Sequence, residues 1–126
     1  MPVLETLAAR RLVASPAALD AAQWSVGTLV LRVAADEALL IGGNEMELAD
    51  EHAIVVGETG FKGTWLGREE LVDRVVPHME WPLPAARPVF VQGLIAGVPA
   101  KLWLAEDRSL LLCAAAYAHE LADRLG

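Results

Sequence analysis

The chemistry open to this chain starts with three histidines, His52, His78 and His119, and one cysteine, Cys113. A zinc site needs such ligands close together, most legibly as His-x-x-x-His on a helix or as paired cysteines. Neither spacing occurs, and His119-Glu120 has no second histidine beside it. His78 follows Pro77, where an imidazole can complement a helix C-terminus, and His52 falls at a loop–strand junction. Cys113 stands in the apolar run "SLLLCAAAY" with no local base or cation to form a thiolate, so it reads as a small buried hydrophobe. Ser15, Ser25 and Ser109 lack the glycine-flanked elbow of a nucleophile. The adjacent acids Glu69-Glu70 and Asp50-Glu51 read as solvated pairs. The chain therefore offers no catalytic residue and no metal site.

The string "GETGFKGT", Gly57 to Thr64, has the glycines and lysine of a phosphate loop but not their order. Its lysine precedes Gly63, whereas a phosphate loop needs Gly-Lys-Ser/Thr running into a helix. A dinucleotide fingerprint fails as well, because the glycines are spaced three apart and no helix follows directly. Glycines at hairpin corners account for the string. Among the aromatic residues, Trp65 and Trp103 fall in strands and are expected in the core. Trp24, and Trp81 in a proline-rich connector, are expected to be partly exposed and able to anchor a partner.

The elements that would position these residues follow from hydrophobic periodicity. "VLETLAARRLVA" places Val3, Leu4, Leu7 and Leu12 near one face and predicts an amphipathic helix; Pro16 then starts a short helical turn. "VGTLVLRVA" and "EALLIGG" predict a hairpin turning at Asp36, followed by an acidic loop. "HAIVVGE" and "KGTWLG" read as strands separated by Thr59-Gly60. "REELVDRVVPHM" is a helix burying Leu71, Val72 and Val75 and stopped by Pro77. "EWPLPAARP" cannot join a sheet along its length. Three strands, "VFVQGLI", "VPAKLWLA" and "RSLLLCA", precede a last helix with Tyr117, Leu121 and Leu125 at helical spacing. The expected organisation is a single α+β domain. It has an N-terminal helical segment over 1–25, a hairpin and acidic loop over 26–51, and a β2-α-β3-α unit over 52–126.

Composition sets the outer bounds. The chain has 126 residues, 55% of them apolar and 21% charged, which suits a folded domain with some apolar surface left for an interface. The net charge of −7 has one source: from Asp36 to Glu58 there are seven acids and no Lys or Arg. Such a surface repels phosphate backbones and anionic membranes, so neither nucleic acid nor membrane is an expected partner. The loop is either solvated or a docking patch for a basic partner, with Glu45, Glu47, Asp50 and Glu51 beside Trp81 as candidate contacts. No signal-peptide pattern or membrane-length apolar run occurs in the sequence, and the expected compartment is the cytoplasm.

Three stretches, "LRVAADEALLIGG", "TGFKGTWLGREELVDRVVPHMEWPL" and "GLIAGVPAKLWLAEDRSLLLCAAAYAHELADRL", occur in an order that resembles the gamma subunit of heterotetrameric sarcosine oxidase. That subunit belongs to the wider folate-binding family of the glycine cleavage T-protein, an aminomethyltransferase. The first stretch looks like the family's Leu-x-Pro-Asp-Glu-x-Leu-Leu hairpin, with Asp36 and Glu37 at its turn. The second is similar to its strand, helix start and proline-bearing exit, and the third to its final hairpin and closing helix. Together they run from about Thr28 to Leu125.

The resemblance implies paired β2-α-β3-α units that exchange their first strands, of which this chain has one full copy and a fragment. An incomplete pair implies a partner, either a second copy of the chain or a larger catalytic subunit. The family's Asn-x-x-Gly-x-x-Asp-Asp aspartate has no match here, since Gly93 and Gly97 are not followed by acids. No catalytic or folate-binding residue is therefore carried over. The expectation is a non-catalytic structural or partner-binding subunit without a cofactor. The alternatives are a reduced folate-binding domain in aminomethyl-transfer chemistry, with folate as its ligand, and a small-molecule pocket formed at a dimer interface.

Overall fold

The stretch around Arg10 and Arg11 does not form the amphipathic helix that its leucine spacing predicts. The computed structural model, which describes residues 3–43 and 46–126, has two strands there, β1 (Glu5–Thr6) and β2 (Ala9–Val13). The reason is tertiary. β2 is paired antiparallel on both sides, with Leu12 opposite Ala38 on one neighbour and opposite Val55 on the other. A two-sided ladder satisfies the backbone as well as a helix would and also buries Leu12 completely, so pairing overrides local helix propensity. Helix enters only afterwards, as α1 (Pro16–Ala21). Ser15 caps it by accepting from the Ala18 N–H at 3.2 Å, and Pro16 fills the first turn, where a missing N–H costs nothing.

Residues Leu7–Thr59 form one compact unit. After α1 come β3 (Gln23–Trp24), β4 (Leu29–Ala34), β5 (Glu37–Ile41), β6 (Met46–Glu47) and β7 (Ile54–Glu58). The main sheet has the order β4-β5-β2-β7, and β3 pairs separately with β6. The β4–β5 hairpin is the one expected, with a bulge between Arg32 and Ala34. Leu12, Leu19, Ala38 and Leu40 make the core of this unit, with Trp24, Val30 and Met46 packed against them. The strand period of two puts Leu39, and Leu31 opposite it, on the other face of the sheet, where both are also buried.

The second unit is Gly60–Gly126 together with the segment that contains β1. β8 (Phe61–Gly67) leads into α2 (Arg68–Glu70), which widens into a π-helical turn (Leu71–Val75) and tightens into a 3-10 turn (Val76–His78). Leu71 and Val75 are buried as expected, but Val72 is 56% exposed. β9 (Val89–Ile95), β10 (Val98–Leu104) and β11 (Arg108–Ala114) then build an antiparallel sheet, and α3 (Ala115–Leu125) closes the chain. α3 buries Ala118, Leu121 and Leu125, and Tyr117 lies outside that stripe. Leu66, Ile95, Leu102, Leu104, Leu111 and Leu121 form the core.

The sheet of the second unit has the order β1-β8-β11-β10-β9. β7 and β8 therefore do not pair with each other, as the expected unit starting at residue 52 would require. β7 lies on β2, and the place beside β8 is held by β1, with Glu5 opposite Gly63 and Thr6 opposite Lys62. Thr59-Gly60 is accordingly a passage between two sheets. The Gly60 carbonyl accepts from the Ala115 N–H at 2.7 Å, so it ties the start of β8 to the start of α3. The two sheets share one plan. In each, the strand that runs into a helix (β2, β8) sits between the second strand of the later hairpin (β5, β11) and a strand from elsewhere in the chain (β7, β1). The fold is thus α+β, built on antiparallel sheets, and no helix among the described residues is long and apolar enough to cross a membrane.

If residues 9–13 are a central strand, truncating Leu12 leaves a cavity that the flanking strands cannot close. Leu12→Ala should cost about 2–5 kcal/mol of unfolding free energy in a denaturant titration. A loss under about 1 kcal/mol, within the range of surface substitutions, would contradict a fully buried position.

Candidate partner-binding surface

The acidic stretch divides into residues that hold the fold and residues that face water. Arg11 spans the sheet to Glu58 at 2.6 Å and to Glu37 at 3.2 Å, tying β2 to both of its neighbours. Asp50 clamps a turn: its Oδ2 accepts from the Ser15 N–H at 2.8 Å and its Oδ1 from the His52 N–H at 2.9 Å. These two bonds, that from Ser15 first, hold the Asp50 carboxyl below the usual 3.8 of an aspartate; the His52 charge adds to the effect and slight desolvation opposes it. Glu51 and His52 approach to 3.5 Å but are both 88% exposed, so the pair contributes little. Glu47 lies exposed on β6 opposite Gln23. Glu45 lies outside the described residues.

Trp65 and Trp103 depart from the expected core burial, while Trp24 and Trp81 are partly exposed as expected. Trp81 is half-buried and packs against the core of its own unit. Its Nε1–H donates to the Leu94 carbonyl at 2.8 Å, and its ring lies over Gly93 so closely that a Cβ there would be 2.9 Å from it. Its N–H is thus already used within the fold. Trp65, expected in the core, is 38% exposed with the Arg108 guanidinium 4.0 Å from its ring centre; strand alternation places it on the face of β8 opposite the buried Leu66. Trp24 is half-buried on the smaller core, and Trp103 is half-buried on β10. Burial pushes the Cys113 thiol up from its ordinary value, and Ser109 is buried on β11. His119 is exposed on α3. Among the described residues no group of three or more His, Cys, Asp or Glu could hold a metal ion.

The surface that stands out was not singled out by sequence reasoning. β7 is the outermost strand of its sheet, and among the described residues no strand pairs with its outer edge. Its Ile54, Val55 and Val56 are 59%, 45% and 49% exposed, so apolar β-branched side chains protrude on both faces of an open edge. Proteins usually guard such edges with a lysine, a proline, a bulge or a covering segment. The other long edges of this chain have those guards. On β9, Met79 bridges to Ile95, and Trp81 takes the Leu94 carbonyl. On β4, the bulge and the Arg32 guanidinium, which donates to the carbonyls of Pro16, Ala34 and Ala35 and pairs with Asp20 at 2.9 Å, disrupt the edge. Among the described residues β7 has none of these, and the exposed Glu51 and His52 lie just before it in the chain. The signal available in sequence was the unalternating "AIVVG" run next to an acidic loop.

Two substitutions test these placements. Gly93→Ala should destabilise the protein by about 1–3 kcal/mol, because the Trp81 ring must shift away from the new methyl and strain its hydrogen bond to Leu94; a neutral result in thermal unfolding would dismiss the close contact. For Asp50, a depressed carboxyl stabilises the turn at pH values above its unfolded value and ceases to do so as pH falls through its folded value. An NMR titration should therefore place the Asp50 midpoint below 3.8, with the Ser15 and His52 amides shifting at the same midpoint; a midpoint at or above 3.8 would remove the clamp.

No protein-family model matches the chain, and no curated protein matches it either.

Proposed function

We propose that this chain is a non-catalytic, cytoplasmic subunit that resembles the gamma subunit of heterotetrameric sarcosine oxidase and works by binding another polypeptide. The observation that carries the reading is the edge of β7, undefended among the described residues, in a chain that covers or disrupts its other long edges. An extended segment added there would form main-chain hydrogen bonds and cover Ile54, Val55 and Val56. The order of the strands supports the family half of the proposal. Each sheet borrows its outer strand from elsewhere in the chain, as an exchange of first strands between two β2-α-β3-α-like units would require, and the unit from Leu7 to Thr59 is the shorter copy.

The occupant proposed for β7 is a second copy of the chain, because an antiparallel strand pairs with itself about a twofold axis without needing a different surface. A larger catalytic subunit with a basic face is the other occupant that the acidic loop would suit.

Light scattering should give twice the 13.5 kDa chain mass, and Val55→Lys, which puts a charge on the open edge, should return the protein to a monomer with its thermal transition kept. A native chain that stays monomeric at high concentration would rule out the second copy. Reduced folate separates the subunit reading from that of a one-carbon enzyme. Titration with 5-formyl-tetrahydrofolate, followed by tryptophan fluorescence, should give no saturable change. Saturable micromolar binding would replace the proposal with a folate-binding one.

A further inference from the structure

The unit Gly60–Gly126 carries a concentration of cations that neither the partner reading nor the core accounts for. A cleft of about 390 Å³ is lined by Arg68, Arg87 and Arg108, three of the ten Lys and Arg residues of a chain whose net charge is −7. One acid, Glu106, shares the lining, yet among the described residues none of the three arginines makes an ion pair with a carboxylate. Each guanidinium is instead held from one side by a neutral group. Arg68 Nε donates to the Glu106 carbonyl at 2.7 Å. Arg87 Nη1 donates to the carbonyls of Pro84 at 2.5 Å and Ala86 at 2.7 Å. Arg108 lies over the Trp65 ring at 4.0 Å.

Such contacts fix a guanidinium without neutralising it. A guanidinium has five N–H donors in a planar fork, and these contacts use one on Arg68 and two on Arg87. What remains is a set of oriented cations suited to the paired oxygens of a phosphate or carboxylate. Leu71, Val72 and Leu83 supply an apolar wall to the same cleft. We infer that the Arg68–Arg87–Arg108 cleft is a binding site for a small organic oxyanion with an apolar body, taken up by the guanidiniums at one end and by the apolar wall at the other. The inference stands whether or not the chain has a protein partner, because every lining residue belongs to one unit.

The test uses the full chain in low-salt buffer, titrated by calorimetry with phenylphosphate, benzoate and inorganic phosphate. Phenylphosphate or benzoate should bind saturably, and whichever is tighter tells phosphate from carboxylate. The aromatic ligand should outbind inorganic phosphate if the apolar wall takes part. Arg68→Gln and Arg87→Gln, each removing charge-assisted hydrogen bonds, should each weaken binding roughly tenfold to a hundredfold, and Arg124→Gln, outside the cleft, should leave it unchanged. Arg108→Gln should do the same as the other two cleft variants. If loss of its contact with Trp65 unfolds the protein, the other two variants still decide the matter. Absence of saturable binding by all three probes would overturn the site, as would equal weakening by Arg124→Gln. Binding by inorganic phosphate alone would overturn the organic ligand.

Discussion

The constraint on which everything else depends is the completion of each sheet by a strand that is remote in sequence. β8 needs β1, which precedes the whole of Leu7–Thr59, and β2 needs β7, which follows it. Without them β8 and β2 would become edge strands, each with a row of backbone N–H and C=O groups left without a strand partner. The segment Gly60–Gly126 therefore does not complete its sheet without Glu5–Thr6, and the Leu7–Thr59 sheet is not finished before β7 is made. Non-local pairing of this kind also slows folding, since loops must close before the contacts that reward them exist.

That constraint explains which parts of the fold were legible in sequence. The β4–β5 hairpin and the β9–β10–β11 meander were readable because their pairing is local and their turns carry the expected residues, as at Ala96-Gly97, where both residues have positive φ. The helix over 115–125 was readable from its period, although Ala118 and not Tyr117 occupies the buried stripe. β2 was not readable. "ARRLV" has residues that favour helix, and its strand state comes wholly from neighbours that lie 24 or more positions away. β7 was legible as a strand but not as a partner of β2, because nothing in "IVVGE" says which strand it will meet.

The candidate surfaces were legible to different degrees for the same reason. The acidic stretch is visible as composition, but composition does not separate Asp50, which holds a turn, from Glu47, which faces water. Trp81 is an amphipathic residue in a proline-rich segment, a setting that fits an anchor for a partner equally well. The register that brings Gly93 beneath its ring belongs to β9, so the ring's packing role could not be read in the segment itself. Edge status is likewise a property of the sheet order and cannot be read in any one strand.

Charge shows how a fold can carry a basic cleft within an acidic molecule. Arg11, Arg32 and Arg124 are paired with Glu37 and Glu58, Asp20, and Glu120 respectively, and all of these pairs lie at least partly in solvent, where each contributes at most about 1 kcal/mol. Rearranging such pairs costs the fold little, so the placing of arginines is free to follow other demands. Arg68, Arg87 and Arg108 are fixed by carbonyls and an aromatic ring, which restrain a guanidinium without cancelling its field. Carbonyl oxygens and a ring face favour cations through their dipoles and quadrupole, so the three can gather around one cleft without a carboxylate to balance them. The excess of acid lies mainly between Asp36 and Glu58, in the other unit. The two features, an acidic loop leading to a bare strand edge and a basic cleft with an apolar wall, therefore belong to different units and answer to different ligands.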